Sequence, residues 1–308
     1  MRVFLAGGSG AVGRRLVPLL VERGHEVKAT TRTPAKAALL TELGAEPAVV
    51  DLLDAGATLA AVRDARPDVV VHQLTALAGD LDFRHFDDSF AATNALRTRG
   101  TDLLLEAAWA AGAGRFVAQS YFSVLMEAPP ASMRRTVAAL RHLEHAVTTA
   151  PGLDGVVLRY GAFYGPGTSL GEGGEQIELL RKRRYPVIGD GAGEWSFLHI
   201  DDAARAAVRA IESAATGIFD VVDDEPARVA EWLPYLATAV GAPAPRRVPA
   251  WLGRLAAGDA IVAMSTSIRG TSNDAAKREL GWQPLWPTWR KGFLCGLSER
   301  GAWEATAA

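Results

Sequence analysis

The feature that most constrains this chain is a glycine-rich turn set directly between a short apolar run and an amphipathic one. Arg2–Ala6 leads into Gly7-Gly8-Ser9-Gly10-Ala11-Val12-Gly13, and the segment Arg14–Arg23 then has helical periodicity. Gly-x-x-Gly-x-x-Gly between a first strand and a first helix predicts a dinucleotide-binding turn. Gly7 permits the tight turn, Gly10 lets the backbone approach a pyrophosphate, and Gly13 lets helix and strand pack closely. The start of the helix adds unpaired N–H groups and a partial positive charge. Gly7, Ser9, Gly10, Ala11, Val12 and Gly13 are therefore the candidate phosphate loop.

The rest of the first half repeats the same beat. Short β-rich runs at His25–Thr30, Glu46–Val50, Asp68–Gln73, Arg115–Gln119 and Gly155–Leu158 alternate with longer helical segments. Parallel strands need crossovers of this length, and right-handed crossovers give an α/β fold, a Rossmann-type doubly wound parallel sheet. Beyond about Gly161 the pattern changes to Gly/Pro-rich loops, a basic helix near Glu175–Arg184, and helices around Asp202–Glu212, Pro226–Val240 and Asp274–Leu280. The expected division is a cofactor-binding core over 1–160 and a smaller substrate lobe over 161–308, with some of the latter returning to the core. The Pro243–Pro249 stretch reads as a loop.

The composition excludes several functions. With 33 basic against 35 acidic side chains there is no net field to hold a polyanion, so nucleic acid is not an expected partner. The single Cys295 excludes an internal disulfide and a Cys-rich zinc site, which suits a reducing cytoplasm. The N-terminal apolar run is too short for a signal peptide, and no stretch reaches the length of a membrane span. The expected partner is a small molecule. The oligomeric state is not readable.

Cofactor choice turns on the end of the second strand. An Asp or Glu there accepts from the ribose hydroxyls of NAD. Here the chain reads Thr30-Thr31-Arg32-Thr33-Pro34-Ala35-Lys36. A guanidinium pairs bidentately with a 2′-phosphate, which a carboxylate would repel, so Arg32 predicts NADPH/NADP+. Asp51 and Leu52, closing the third strand, are placed beside the adenine.

The chain resembles the extended or atypical short-chain dehydrogenase/reductases, the NAD-dependent epimerase/dehydratase group. The resemblance runs nearly end to end, through the glycine triplet, Asp51-Leu52, His72-Gln73-Leu74-Thr75-Ala76, Arg115-Phe116-Val117-Ala118-Gln119-Ser120, Leu158-Arg159-Tyr160-Gly161-Ala162-Phe163-Tyr164-Gly165-Pro166-Gly167 and Trp195-Ser196-Phe197-Leu198-His199-Ile200-Asp201-Asp202. It implies a cofactor lying across the strand ends, with Leu74, Thr75, Tyr160, Ala162 and Phe163 beside it. It also implies a substrate cleft between the lobes, bordered by Tyr164, Trp195 and His199, and hydride transfer at nicotinamide C4.

The family's catalytic pattern is a Ser or Thr after the fifth strand and a Tyr-x-x-x-Lys on the next helix, where Lys lowers the Tyr pKa. None of the five Tyr residues has a Lys four positions later. Anchoring that helix on Glu144 puts Thr136 where the Tyr belongs and Leu140 where the Lys belongs, and Tyr121 takes the usual hydroxyl position after Ser120. The family's Asn-x-x-Gly-Thr becomes Arg97-x-x-Gly100-Thr101, with Asn94 one turn earlier. The expected function is an NADPH-dependent ketoreductase acting on a bulky aromatic, polyketide-like substrate by direct hydride transfer. Tyr121, Ser120 and Thr136 are the candidate proton donors. The alternatives are a nucleotide-sugar epimerase or dehydratase and a non-catalytic NADP(H)-binding sensor.

Other polar clusters have plainer readings. His142 and His145 flank Glu144 at a spacing that matches no metal motif and read as a solvated helix face, so no metal is expected. Asp201-Asp202 read as a helix N-cap. Arg181-Lys182-Arg183-Arg184 read as a solvated helix end.

Overall fold

The computed structural model describes residues 1–77 and 82–299; residues 300–308, the end of the expected substrate lobe, lie outside the described residues. The first half runs β1 (Arg2–Ala6), α1 (Ala11–Glu22), β2 (Glu26–Thr31), α2 (Ala37–Glu42), β3 (Glu46–Val49), α3 (Ala55–Ala65), β4 (Val69–His72), the short helices α4 (Phe86–Ser89) and α5 (Ala91–Ala95), α6 (Thr101–Ala110), β5 (Arg115–Tyr121), α7 (Arg134–Thr148) and β6 (Asp154–Tyr160). Every strand expected from the sequence is present, with ends displaced by at most two residues. Beyond them come β7 (Ala162–Tyr164), α8 (Glu175–Arg181), β8 (Val187–Ile188), β9 (Glu194–Trp195), β10 (Phe197–His199), α9 (Ile200–Glu212), β11 (Gly217–Val221), β12 (Ala227–Arg228), α10 (Val229–Ala239), β13 (Arg247–Val248), α11 (Ala250–Thr266), α12 (Asp274–Glu279) and α13 (Trp289–Cys295).

The main sheet has seven strands in the order β11-β6-β5-β4-β1-β2-β3, all parallel. Its inner strands are apolar on both faces because both are covered. Val3, Leu5, Val69 and Val71 pack toward α1 and α9, whereas Phe4, Val70, Phe116 and Ala118 pack toward α3, α6 and α7. Chain order reverses between β1 and β4, so the carboxyl ends of these strands open the crevice in which α/β sheets of this kind bind ligands.

The second lobe has its own core, built on Trp232, Trp286, Trp289, Phe197, Phe293 and Tyr164. Three two-stranded ribbons, β7 with β10, β8 with β13 and β9 with β12, frame it. These ribbons correct the sequence reading in two places. Ala227–Arg228 pairs as a strand before α10 begins at Val229, so the helix expected from Pro226 starts three residues late. Within the Pro243–Pro249 stretch, Arg247–Val248 pairs with Val187–Ile188.

Candidate active site

At the β1–α1 turn Gly7 and Gly13 meet backbone, not side chains. Gly7 has φ of +97°, and a Cβ there would lie 2.8 Å from the Gln73 carbonyl oxygen. A Cβ on Gly13 would lie 2.3 Å from the Gly7 carbonyl oxygen and 2.6 Å from that of Gly8. Gly13 therefore lets the helix close on the loop itself rather than on the strand. Gly8 is a fourth required glycine that the triplet pattern passes over, since its Cβ would overlap that of Ala29 at 2.6 Å. Gly10 stands at the N-cap of α1 and offers no side chain to the first-turn N–H groups. The result is a backbone cradle at a helix N-terminus, which fits the pyrophosphate of a dinucleotide.

Around that cradle, Ser9 Oγ donates to Thr31 Oγ1 at 3.1 Å, tying the loop to β2. Arg32, one residue past β2, is exposed and makes no hydrogen bond or ion pair among the described residues, so its guanidinium is available. Asp51 is exposed and accepts from the Leu53 N–H, while Leu52 is buried. Leu74 and Thr75 follow the end of β4, with Leu74 N–H donating to His72 Nδ1 and Leu74 O accepting from Gln119 Nε2. Phe163 is half-buried beyond β6, tilted on Tyr160 at 5.3 Å, next to the buried Ala162. Tyr160 itself is different. It is 1% exposed, accepts from Gln73 Nε2 and donates to the Ala203 carbonyl, so it belongs to the core under the cleft and not to its lining.

Across the cleft, the three hydroxyls expected to share proton donation separate. Ser120 Oγ donates to Glu144 Oε1 at 2.7 Å, and Arg159 grips both oxygens of the same carboxylate at 2.7 Å each. Strand alternation therefore turns Ser120 into the α7 face, which removes it from the cleft. Thr136 Oγ1 donates to Asp87 Oδ1 at 2.7 Å and accepts from Asn94 Nδ2 at 2.9 Å, and the residue is 2% exposed. The Asp87 carboxylate also accepts from the Arg135 and Thr136 N–H groups, capping α7 from a distance. Thr136 is thus a structural hydroxyl. Only Tyr121 is left, half-buried at the end of β5, edge-on to Phe122 at 4.8 Å and without a hydrogen-bond partner among the described residues.

Electrostatics sharpen the change. Leu140, in the position where the resemblance expects Lys, is fully buried. Burial pushes the Tyr121 phenol above its ordinary value, and the Arg97 guanidinium works against that rise. Tyr121 is consequently a hydrogen-bond donor that keeps its proton, a weaker acid than a free tyrosine. His72 is fully buried and held neutral, its pKa lowered to about 4 by burial. Its Nε2 faces the Leu96 carbonyl at 3.2 Å and its Nδ1 accepts from Leu74, which assigns the tautomer.

Two residues expected along the substrate cleft lie elsewhere. Tyr164 is fully buried in the aromatic core of the second lobe. His199 is also fully buried; it caps α9 by accepting from the Asp201 N–H, stacks on Trp286 at 4.7 Å and bonds the Gly296 carbonyl. The N-cap expected of Asp201-Asp202 is therefore His199, and Asp202 instead accepts from the N–H groups of Leu285 and Trp286. Trp195 is 8% exposed and donates to the Met264 carbonyl, with Phe122 at 6.4 Å, so it backs the loop that follows Tyr121. That loop and α11 bound a cavity of about 530 Å³ lined by Met126, Pro130, Val262 and Ala263 together with Arg254 and Arg269. Its lining is mixed, because Glu127, Asp259, Thr266 and Ser267 stand beside the two arginines. Among the described residues no group of three or more His, Cys, Asp or Glu could hold a metal ion, and His142 pairs with Asp102 on an exposed face.

The NAD(P)H-binding family profile matches residues 7–182. A 3-diazoavenalumate denitrifying reductase from a Streptomyces species is 44% identical, over 95% of this chain and 99% of that protein. A 2-alkyl-3-oxoalkanoate reductase from Stenotrophomonas maltophilia is 30% identical, over 79% of this chain and 77% of that protein. Among solved structures, a human epimerase family protein with NADPH superposes with a TM-score of 0.73 at 20% identity, covering 96% of this chain and 98% of that one.

Proposed function

The chain belongs to the NAD(P)H-binding family, among the epimerase-like short-chain dehydrogenase/reductases, and is an NAD(P)H-dependent oxidoreductase; from that premise we propose that it is an NADPH-dependent reductase of aromatic diazo acids. The observation that carries this reading is that, among the described residues, none of the expected hydroxyls is an effective acid in the cleft. Ser120 and Thr136 are bonded elsewhere, Leu140 replaces the lysine, and Tyr121 holds its proton more tightly than a free phenol.

Bound on the cradle, the cofactor supplies a hydride from nicotinamide C4. Gly7, Gly10 and Gly13 would take the pyrophosphate and Arg32 the 2′-phosphate, with Asp51 and Leu52 beside the adenosine. Leu74, Thr75, Ala162 and Phe163 would line the way toward Tyr121. A diazo-bearing ring carbon that accepts the hydride releases dinitrogen with the electron pair of the broken C–N bond. No oxygen acquires charge, so no proton donor is required. The relative at 44% identity supports this acceptor.

Ketone reduction is the second reading, favoured by the 30% identical oxoalkanoate reductase. There the hydride adds to the carbonyl carbon, the π pair moves to oxygen, and Tyr121 or water delivers the proton, with solvent restoring the phenol. Orientation alone is worth about 7–11 kcal/mol, against about 3–5.5 kcal/mol for a general acid, so a ketone can still be reduced by positioning. Incubation of the protein and NADPH with aryl diazo acids and with aromatic ketones, following cofactor oxidation and dinitrogen release together, separates the two. Oxidation of NADPH matched mole for mole by dinitrogen supports the first reading. Oxidation by ketones alone establishes the second, and tight NADPH binding without turnover of either class removes both.

A further inference from the structure

The π-helical turn Leu96–Gly100, between α5 and α6, carries a buried cation near Tyr121, Arg97, that the proposed chemistry leaves unused. Turns of this kind insert a residue into a helix and recur at functional sites. Here the hydroxyls of Thr98 and Thr101 occupy the freed carbonyls of Asn94 and Arg97. Arg97 is 7% exposed, yet its Nη1 has no hydrogen-bond partner and its guanidinium faces no carboxylate among the described residues. The titratable neighbour it does feel is the Tyr121 phenol, and it also acts on the His72 ring. Burial lowers its pKa to about 10, which leaves it cationic at neutral pH. His72 is neutral and offers no compensation.

A buried guanidinium with no counter-charge is costly to the resting fold, because the charge has left water without being paired. Tyr121 beside it is a second donor without a partner. We infer that Arg97 and Tyr121 together form an oxyanion site, which receives a negatively charged oxygen bonded to, or conjugated with, the substrate carbon that accepts the hydride. The charge that the family pattern places on α7, at the position of Leu140, is carried here by the π-helical turn packed against that helix. This inference rests on the proposed reductase reading for its substrate and stands on the unpaired guanidinium for its chemistry. The oxygen is either an enolate or phenolate already on the substrate or the alkoxide that hydride addition to a ketone creates.

The test uses 4-nitrophenol, whose phenol and phenolate differ in absorbance, bound to the protein–NADP+ complex. The site should favour phenolate over phenol about ten- to a hundred-fold, read as a lowered apparent pKa of the bound probe. Arg97→Met is expected to abolish that preference while leaving NADP+ affinity unchanged, and Arg97→Lys to restore part of it. Removing the unpaired charge is also expected to raise the melting temperature of the free protein by about 2–4 °C. Steady-state kinetics then separate the two sources of the oxygen. A raised KM in Arg97→Lys marks an anion present in the bound substrate, and a lowered kcat at constant KM marks one formed during reduction. Both support the site. Wild-type protein with no phenolate preference overturns it, as does an Arg97→Met protein that keeps the preference, loses NADP+ or melts lower. Because nitrophenol is not turned over, the probe result is independent of whether diazo acids or ketones are reduced.

Discussion

The two walls of the cleft meet their chemical demands in opposite ways. On the cofactor wall the requirement is shape: carbonyl and N–H groups held where a pyrophosphate fits, with no room for a Cβ at Gly7, Gly8 or Gly13. On the acceptor wall it is side-chain chemistry, and there Thr136, Leu140 and Tyr121 stand at positions where the family carries another set. A backbone cradle has few sequence solutions, because only glycine tolerates the contacts. A hydrogen bond or a charge can be delivered from several directions, so it can move from one element to another while the fold stays as it was.

The comparison is broken most severely at Gly13. Gly13→Val puts branched carbon into the Gly7 and Gly8 carbonyls, so NADPH binding should fall more than a hundred-fold in a protein that remains folded by circular dichroism. Titration calorimetry showing wild-type affinity would mean that the loop does not hold the cofactor. Arg32→Ala probes a side chain on the same wall. Loss of one charge-assisted phosphate contact weakens NADPH by about 1.5–3 kcal/mol, roughly ten- to a hundred-fold, and leaves NADH nearly untouched. Equal losses for the two cofactors would remove Arg32 from the phosphate site.

On the acceptor wall smaller effects are expected. Tyr121→Phe lowers kcat by less than about a hundred-fold with a ketone and hardly at all with a diazo acid, because only the former develops charge on oxygen. A complete loss with both acceptors, fold and NADPH binding intact, would make Tyr121 an indispensable acid. Thr136→Val has the least effect on turnover. It removes a buried hydroxyl from Asp87 and Asn94, so about 1–3 kcal/mol appears in denaturant unfolding while kcat stays within a few-fold of wild type. A large fall in kcat at unchanged stability would return Thr136 to the catalytic set.

These outcomes track what was legible in the sequence. The strands of the doubly wound sheet and the glycine loop were readable because period and glycine spacing report backbone geometry directly. Gly8 escapes the triplet pattern because the clash that fixes it is between the turn and Ala29 on β2, which leaves no local pattern. Tyr164 and His199 lie in segments that the resemblance sets along the cleft, but burial is decided by α13 and the Trp286 ring, which come from more than 80 residues later in the chain. Ser120 was misdirected for a simpler reason: alternation along β5 puts neighbouring residues on opposite faces, so Ser120 and Tyr121 cannot share one cleft. Arg97 stands in the run Leu96-Arg97-Thr98-Arg99-Gly100, in which nothing in the sequence says which of the two cations is buried. Its meaning depended on the π-helical register, which no periodicity of the sequence announces.

The seventh strand of the sheet has a consequence for how such a protein can diversify. Gly217–Val221 pairs with Val156–Tyr160 of β6, and α9 ahead of it covers the face shared with α1. The polypeptide thus leaves the dinucleotide platform after Tyr160 and comes back to it before departing again. An exchange of substrate pockets between relatives by one crossover near residue 160 would strip that edge and expose Val156 and Leu158 to solvent. A recombination that respects the architecture transfers two separate cassettes, about 162–199 and 222–299, around a retained α9–β11 clasp. New specificities in this lineage are therefore most accessible as paired grafts, with the clasp inherited alongside the glycine cradle.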